Sequence, residues 1–506
     1  MSLSGTKKTD ISPISIRYHR FKGTDMAEKF IRMLKSKRRP VLVYFDPDID
    51  GLIAGFLVCR YLKSKGIDFV WKLNQNRGHG FKIPFERLKG LGIDIIAVDF
   101  KISSKEVKGI LKSGSNILNI DHHLNGDEFI GWGYGGKIGL VINNQYPFED
   151  EDSRYLSGAG VVFEVLREID KDFDTVENRA LVGLTLLSDV RNIENNNAKG
   201  YLIDLYTHKY KGYIGYLIDG TKGEKDYGVG VPRLDRNYVD YVLSPTINSC
   251  LRFNQNDMVM NFILGSGYID KSFKAKQRDL VNEMMKVGKM KDFDSLRVVT
   301  IWESDFEGSE YFDELSNFIG LVASRYLDGK HSVIACLLKT DGTFRRASFR
   351  GYLNGGLYLD SMNATGLIYG EGHESAFGVI WMDLSERSCK ELDRVCCEVD
   401  KSYRKSSNVV YVENMSVFSS VKGYNIGVEN MFCLSQNRTW LKYTGSKIVR
   451  KFYTSKYTEY ELDGIQVKCF DPDLDPRKDL ILPMCERGYV FYYLQKEDSE
   501  ESIFED

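Results

Sequence analysis

Val41-Leu-Val-Tyr-Phe45-Asp46-Pro-Asp48-Ile-Asp50-Gly51 is the stretch on which the reading of this chain turns. A short apolar, β-branched run stops at an acidic turn, and Leu52 to Leu62 then has the character of a buried helix. The pattern recurs: Ile95 to Val98 ends at Asp99, and Ile117 to Ile120 ends at Asp121, with helix-like stretches between. Such alternation predicts a parallel α/β sheet. Ligands of these sheets bind beyond the carboxyl ends of the strands, and all three strands end there in an aspartate, so the carboxylates are expected to converge. Ser157 to Ile169 and Val176 to Leu187 have helical periodicity, and the second runs into Ser188-Asp189, adding a fourth carboxylate.

Asp121-His122-His123 is the sharpest local signal. Two imidazoles and a carboxylate at a strand's carboxyl end are too polar to bury without a task, and neutral His is a common metal ligand. Asp46, Asp48, Asp50, Asp99, His122 and Asp189 together make a mostly oxygen site with a little imidazole, which suits Mn²⁺ or Mg²⁺ better than zinc. With that many anionic ligands, two divalent ions are expected, since the bare cluster would repel itself.

Two competing motifs fail on their own terms. Asp46 to Gly51 opens like an EF-hand loop, but the twelfth position is Leu57 where a bidentate Glu is needed. Asp471-Pro-Asp473-Leu-Asp475 has Pro476 at the required glycine and reads as a solvated turn. Gly131-Trp-Gly133-Tyr-Gly135-Gly136 satisfies G-x-G-x-x-G, yet it precedes the strand-like Ile138 to Ile142, whereas a dinucleotide fingerprint must open a helix.

Composition bounds the rest. At 506 residues the chain is long enough for about three domains. Its 69 Lys and Arg against 71 Asp and Glu give a net charge of −2, so any nucleic-acid site must concentrate its positive charge locally. Nine cysteines, an odd number with no C-x-x-C pair, suggest neither a disulfide framework nor a zinc knuckle and fit a reducing cytoplasm. A polar N-terminus and the lack of any 18-residue apolar run argue against secretion and membrane spanning.

DPDIDG at 46 to 51, VD at 98 to 99, DHH at 121 to 123 and SD at 188 to 189 occur in the order of the DHH phosphoesterases, which this chain resembles. Val141-Ile-Asn-Asn, Leu156-Ser-Gly-Ala-Gly-Val161 and Pro245-Thr-Ile-Asn248-Ser-Cys-Leu-Arg252 are similar to segments of RecJ-type single-strand exonucleases. Ile319 to Arg325, Arg346-Ala-Ser348-Phe-Arg350 and Gly370-Glu-Gly372-His373 resemble the DHH-associated substrate domain, although Glu371 interrupts its glycine run. The resemblance, which runs from about Pro40 to Met382, implies a catalytic domain over 1–265, a connecting helix over 266–292 and a DHH-associated domain over 293–395; a β-rich module over 396–506 is read from its density of Tyr, Val, Phe and Gly.

It also implies roles. Asp46, Asp48, Asp50, Asp99, His122 and Asp189 would hold two divalent cations, Mn²⁺ preferred and Mg²⁺ usable, and Asp121 and His123 would be the catalytic pair, His123 beside the metals or against phosphate. Asn248, Arg252, Arg325, Ser348, Arg350, Gly372 and His373 would bind substrate, with Arg350 forking onto a terminal phosphate and with a structural role inside its helix as an equal alternative for Arg325. The implied activity is 5′ to 3′ hydrolysis of single-stranded DNA, with single-strand-binding or replication proteins as partners. A phosphodiesterase for short oligonucleotides or cyclic dinucleotides and a catalytically dead replication scaffold are the alternatives, and the intact ligand set opposes the last.

Further expectations come from periodicity. Lys271 to Met290 reads as a long helix with Phe273, Leu280, Met284 and Val287 on one face. Arg297 to Trp302, Ser332 to Leu338, Thr343 to Phe349 and Ala376 to Met382 read as strands, and Asp313 to Leu327 as a helix. Ser406 to Gln495 reads either as an OB-like strand binder, in which Tyr443, Lys447, Arg450, Lys451 and Phe452 stack bases and track phosphates, or as an ordinary β-domain with a solvated basic edge. The acidic tail Glu497 to Asp506 is a solubilising end or an anchor through Ile503 and Phe504.

Overall fold

A computed structural model of the chain describes residues 16, 18–36, 40–74, 80–123, 131–189, 196–207, 212–222, 238–328, 330–352, 356–404, 409–412, 440–445, 448–453, 458–462, 465–469, 476, 480–486 and 489–495. The Asp471 to Asp475 string, Lys447 and the acidic tail lie outside the described residues. The chain is α/β and packs as two compact units, 1–244 with 263–266 and 245–262 with 267–506.

The first unit is built on six strands: β1 (Val41–Phe45), β2 (Phe69–Leu73), β3 (Asp94–Val98), β4 (Asn116–Asp121), β5 (Gly131–Tyr134) and β6 (Lys137–Asn143). Their order is β2-β1-β3-β4-β6-β5, parallel throughout except for the antiparallel β5–β6 edge. Every residue of β1, β3 and β4 is buried, which is why these strands are continuous apolar runs and not alternating ones. The chain leaves β1 for β2 on one side and returns to β3 on the other, so the ends of β1 and β3 flank the crevice where such sheets bind ligands. The half-exposed β2 is less apolar and escaped the sequence reading. The glycine-rich motif makes a hairpin, with Gly135 (φ 55°) and Gly136 (φ 73°) supplying the two left-handed turn positions between β5 and β6.

Three helices carry the rest of the site: Ile49–Ser64, Gly158–Ile169 and Val176–Ser188. Each starts at a side-chain cap, Asp48, Ser157 and Thr175 respectively, whose oxygen accepts a hydrogen bond from the first turn.

In the second unit the long helix is Ser272–Val287, shorter than expected because the chain turns at Gly288 and Met290 enters β7 (Lys289–Asp292). Leu280 and Met284 are buried on it, and Phe273 and Val287 pack partly buried against the same core. Beyond β7 come β8 (Leu296–Trp302), β9 (Ser332–Leu338), β10 (Phe344–Arg350), β11 (Ile368–His373) and β12 (Ala376–Met382), in the order β11-β12-β10-β9-β8-β7. The expected helix from Asp313 is a 3₁₀ turn, Phe312–Asn317, followed by a short helix, Ile319–Arg325. One face of the sheet packs Ile334, Phe349 and Phe377 with Cys389, Leu392 and Cys396 of a helix, Glu386–Arg404, that runs through the expected boundary at 395. The other packs Val333, Ala335 and Leu337 with Ile319 and Val322.

The C-terminal region is β-rich. Seven described strands, β13 (Val409–Val412), β14 (Trp440–Tyr443), β15 (Ile448–Tyr453), β16 (Thr458–Leu462), β17 (Ile465–Cys469), β18 (Leu480–Glu486) and β19 (Tyr489–Gln495), join in the order β13-β14-β18-β19-β17-β16-β15. This differs from the five-stranded barrel of an OB fold. Tyr443 is 2% exposed and cannot stack a base as expected, because β14 turns that ring inward. Arg450, Lys451 and Phe452 lie in β15, and their side chains are outside the described residues. No helix among the described residues is long and apolar enough to cross a membrane.

Candidate metal centre

The acidic turn after β1 is shaped by local chemistry. Asp48 Oδ1 accepts from Gly51 N at 2.9 Å and caps the following helix. A Cβ at Gly51 would lie 2.4 Å from the Asp46 carbonyl oxygen, so only glycine lets the helix start this close to β1. Asp50 is thereby buried at 3% exposure, in the first turn, where its two oxygens accept from Gly158 N (2.6 Å) and Ala159 N (3.0 Å) at the start of Gly158–Ile169. A helix N-terminus favours an anion.

Asp99 follows β3 in a left-handed conformation, φ 62°, that a non-glycine residue adopts at a cost of about 1–3 kcal/mol. Its backbone N donates to Ile120 O at 3.0 Å, and a Cβ at Gly158 would sit 2.2 Å from Asp99 Oδ1. Sheet and helix thus close around this carboxylate.

His122, 3% exposed, is the hub. Its Nε2 is 3.1 Å from Asp99 Oδ1 and 3.7 Å from Asp50 Oδ2, and its Nδ1 is 3.8 Å from Asp189 Oδ2 at the end of Val176–Ser188. Ligand atoms lying within 4.8 Å of one another form two groups, Asp99-His122-His123 and Asp50-His122-Asp189, with His122 in both. Asp46 and Asp48 stand on the same turn but in neither group, Asp48 being exposed. Asp121 is buried at the end of β4, where its Oδ1 accepts from His123 Nδ1 at 2.7 Å and its Oδ2 from Asn143 Nδ2 at 3.4 Å. Asn143 also donates to the His123 carbonyl at 2.8 Å.

The electrostatics are those of a cation site. Burial, then Asp189 and Asp48, pushes the Asp50 carboxyl up to about 7. Burial, then Asp50, Asp48, Asp46 and Asp189, holds Asp99 well above the usual carboxylate range. Burial alone would lower His123, but the adjoining Asp121 carboxylate overrides it and the imidazole is pushed up to about 9. Asp99 Oδ1 is buried without a hydrogen bond. Oxygen-rich, anionic and carrying one shared imidazole, the donor set fits hard divalent cations.

Asn74 was not among the sequence-derived candidates. Directly after β2 and fully buried, it accepts from Tyr44 Oη at 2.7 Å and donates to Asp46 Oδ1 at 3.5 Å, which orients that carboxylate. Its signal was available: Leu73-Asn74 places a polar residue at a strand end, as Val98-Asp99 does. Asn143 and Ser157-Gly158 lay in quoted motifs, but no role was read from them.

The expected substrate residues fall in the second unit. Asn248 is half-buried on the helix Ser244–Arg252. Arg252 Nη1 donates to Gln277 Oε1 at 2.8 Å, and its carbonyl accepts from Asn317, so this arginine ties three segments together. Arg325 is exposed at the end of its short helix. Arg350 Nη1 donates to Ser348 Oγ at 2.8 Å and to the Phe349 carbonyl at 2.7 Å. Burial pushes Arg350 down to about 10. Gly372 (φ 142°) and His373 lie on β11, where His373 pairs with Ala376; the His373 side chain is outside the described residues.

Residues 40–187 match the DHH family, N-terminal domain. Over the whole chain, RecJ from Thermus thermophilus in complex with Mn²⁺ is similar at a TM-score of 0.62 and 18% identity, covering 96% of this chain and 72% of that one. The Mg²⁺ complex of RecJ from the same organism gives 0.58 at 16% identity, over 97% and 72%. An exonuclease RecJ bound to manganese gives 0.51 at 19%, over 76% and 96%. No curated protein matches the chain. Residues 40–187 thus match the N-terminal domain of the DHH family and the chain has a RecJ-like fold, while its acidic and histidine cluster supports divalent-metal binding and a phosphoesterase reading.

Proposed function

We propose that this protein is a metal-dependent single-strand DNA exonuclease that hydrolyses phosphodiester bonds from the 5′ end. The observation that carries the reading is the convergence on His122 of three carboxylates, Asp99 from the end of β3 on one side and Asp50 and Asp189 on the other. Asp46, Asp48, Asp50, Asp99, His122 and Asp189 would hold two divalent cations, Mn²⁺ in preference to Mg²⁺. When bound, such ions activate water near neutral pH and neutralise charge on the phosphoryl oxygens during in-line displacement.

The chain's own groups do the rest. Asp121 and Asn143 hold the His123 ring and backbone, so that its other edge meets a phosphoryl oxygen. Asn74 keeps Asp46 aimed at the site. Ser348 orients the Arg350 guanidinium, which takes the terminal phosphate and so selects a chain end. Asn248 and Arg252 would hold the strand nearer the scissile bond. Single-strand-binding or replication proteins are the partners that would present such a strand.

The test is a gel of 5′- and 3′-labelled single-stranded DNA incubated with Mn²⁺. Early release of the 5′ label with gradual shortening of the 3′-labelled strand is expected; the opposite order, or equal turnover in EDTA, refutes the reading.

A further inference from the structure

The face of the second sheet that holds Ser348 and Arg350 continues to an exposed edge. Strand register places three rows across it. Tyr369 pairs with Trp381, and Arg346 lies on the neighbouring strand opposite the bulge at Ile380. Glu371 pairs with Gly378, which pairs with Ser348. His373 pairs with Ala376, which pairs with Arg350. Paired residues point to one side of a sheet. Arg346, Ser348 and Arg350 oppose Leu337, Ala335 and Val333, so these three side chains share with Tyr369, Trp381 and Glu371 the face opposite Phe349 and Phe377.

This face is oddly furnished. Tyr369 and Trp381 are cross-strand neighbours, 49% and 50% exposed, on a strand pair at the sheet edge. Tyr369 Oη donates to Glu371 Oε1 at 2.9 Å, which fixes the ring's direction. Next to them Gly378 and Ala376 leave a low floor, and beyond it stand two arginines. Burial lowers both guanidiniums, and among the described residues no carboxylate pairs with either. Arg345, at the irregularity in register beside them, does have a partner, Glu303. Exposed rings beside unneutralised cations are the two parts of a single-strand site, π-faces for bases and positive charge for the backbone. A protein partner docking on the rings would leave the arginines without an anion.

We propose that Tyr369 and Trp381 are a base-stacking platform for the terminal nucleotides of a single strand whose phosphates lie on Arg346 and Arg350. The platform rests on the exonuclease reading and deepens it, because it makes recognition of the chain end depend on bases as well as on phosphate.

The experiment is fluorescence anisotropy of the full chain in Ca²⁺ buffer, with a short 5′-phosphorylated oligodeoxynucleotide labelled at its 3′ end. A matched strand carries abasic sites at its outermost 5′ positions. Trp381→Ala and Tyr369→Ala are expected to weaken the normal strand about tenfold and leave the abasic strand unchanged, and Trp381→Phe to keep most of the affinity. Both sites are exposed, so these variants should melt like the parent. Equal losses on both strands, or none on either, overturn the platform, as does a dimer that Trp381→Ala dissociates. Wild-type protein that binds no strand overturns the exonuclease reading itself, whereas wild-type binding that Arg350→Ala weakens and Trp381→Ala does not overturns the platform alone.

Discussion

The two units carry opposite electrostatic debts. Around His122, several buried carboxylates face one shared imidazole, and burial with mutual repulsion raises Asp50 and Asp99. On the face of β10, two guanidiniums are desolvated with no carboxylate pairing with either among the described residues, and burial lowers both. Buried charge is tolerated when something neutralises it. The first region is therefore complete only with cations and the second only with an anion. Neither region is a stability device, since each would be more comfortable with apolar residues.

The largest effect that could break this comparison is removal of a ligand. Asp189→Ala and His122→Ala should abolish Mn²⁺-dependent cleavage while circular dichroism stays native; cleavage in either variant moves the chemistry elsewhere. Asp99→Asn should behave likewise and also melt higher than wild type in EDTA, by about 2–4 °C for each kcal/mol of repulsion relieved. It should gain less from added Mn²⁺. An unchanged EDTA melting temperature would mean that the carboxylates do not repel one another.

Next comes Arg350→Ala. A charged hydrogen bond to a buried partner is worth about 1.5–3 kcal/mol, so the preference for 5′-phosphate over 5′-hydroxyl ends should fall about tenfold or more. Arg350→Lys should not restore it, because a point charge cannot fork. A preserved ratio of rates assigns the phosphate to another residue.

Asn74→Ala removes an orienting group and not a ligand. It should raise the Mn²⁺ concentration for half-maximal activity by about 10- to 100-fold without abolishing the rate at saturation. Loss of the saturating rate would make Asn74 part of the chemistry. The smallest effect is expected from Arg325→Ala: the side chain is exposed at a helix end, where a cation is worth about 0.3–1 kcal/mol. Cleavage should be nearly unchanged; a large loss would place Arg325 on the strand.

What the sequence made legible follows from the same physics. Fully buried parallel strands are apolar without interruption, so β1, β3 and β4 stood out, and an aspartate ending each could be located before any coordinates. Half-exposed β2 mixes Trp71 and Lys72 into its run, so it was missed, and Asn74 with it. The anchoring of Asp50 on Gly158 and Ala159 spans more than a hundred residues of chain, and no local pattern announces it. The paired exposure of Tyr369 and Trp381 depends on the register of β11 and β12 and on a bulge, neither of which periodicity encodes. Tyr443 taught the converse: an aromatic in a basic stretch looked like a stacking residue, but strand alternation buried it.

Calorimetric titration of Mn²⁺ into the metal-stripped full chain tests the central claim most directly. Two ions per chain should bind in wild-type protein, with His122→Ala losing both because its ring belongs to both ligand groups. Wild-type protein that takes up no Mn²⁺, or a His122→Ala variant that binds it as wild type does, would contradict the account.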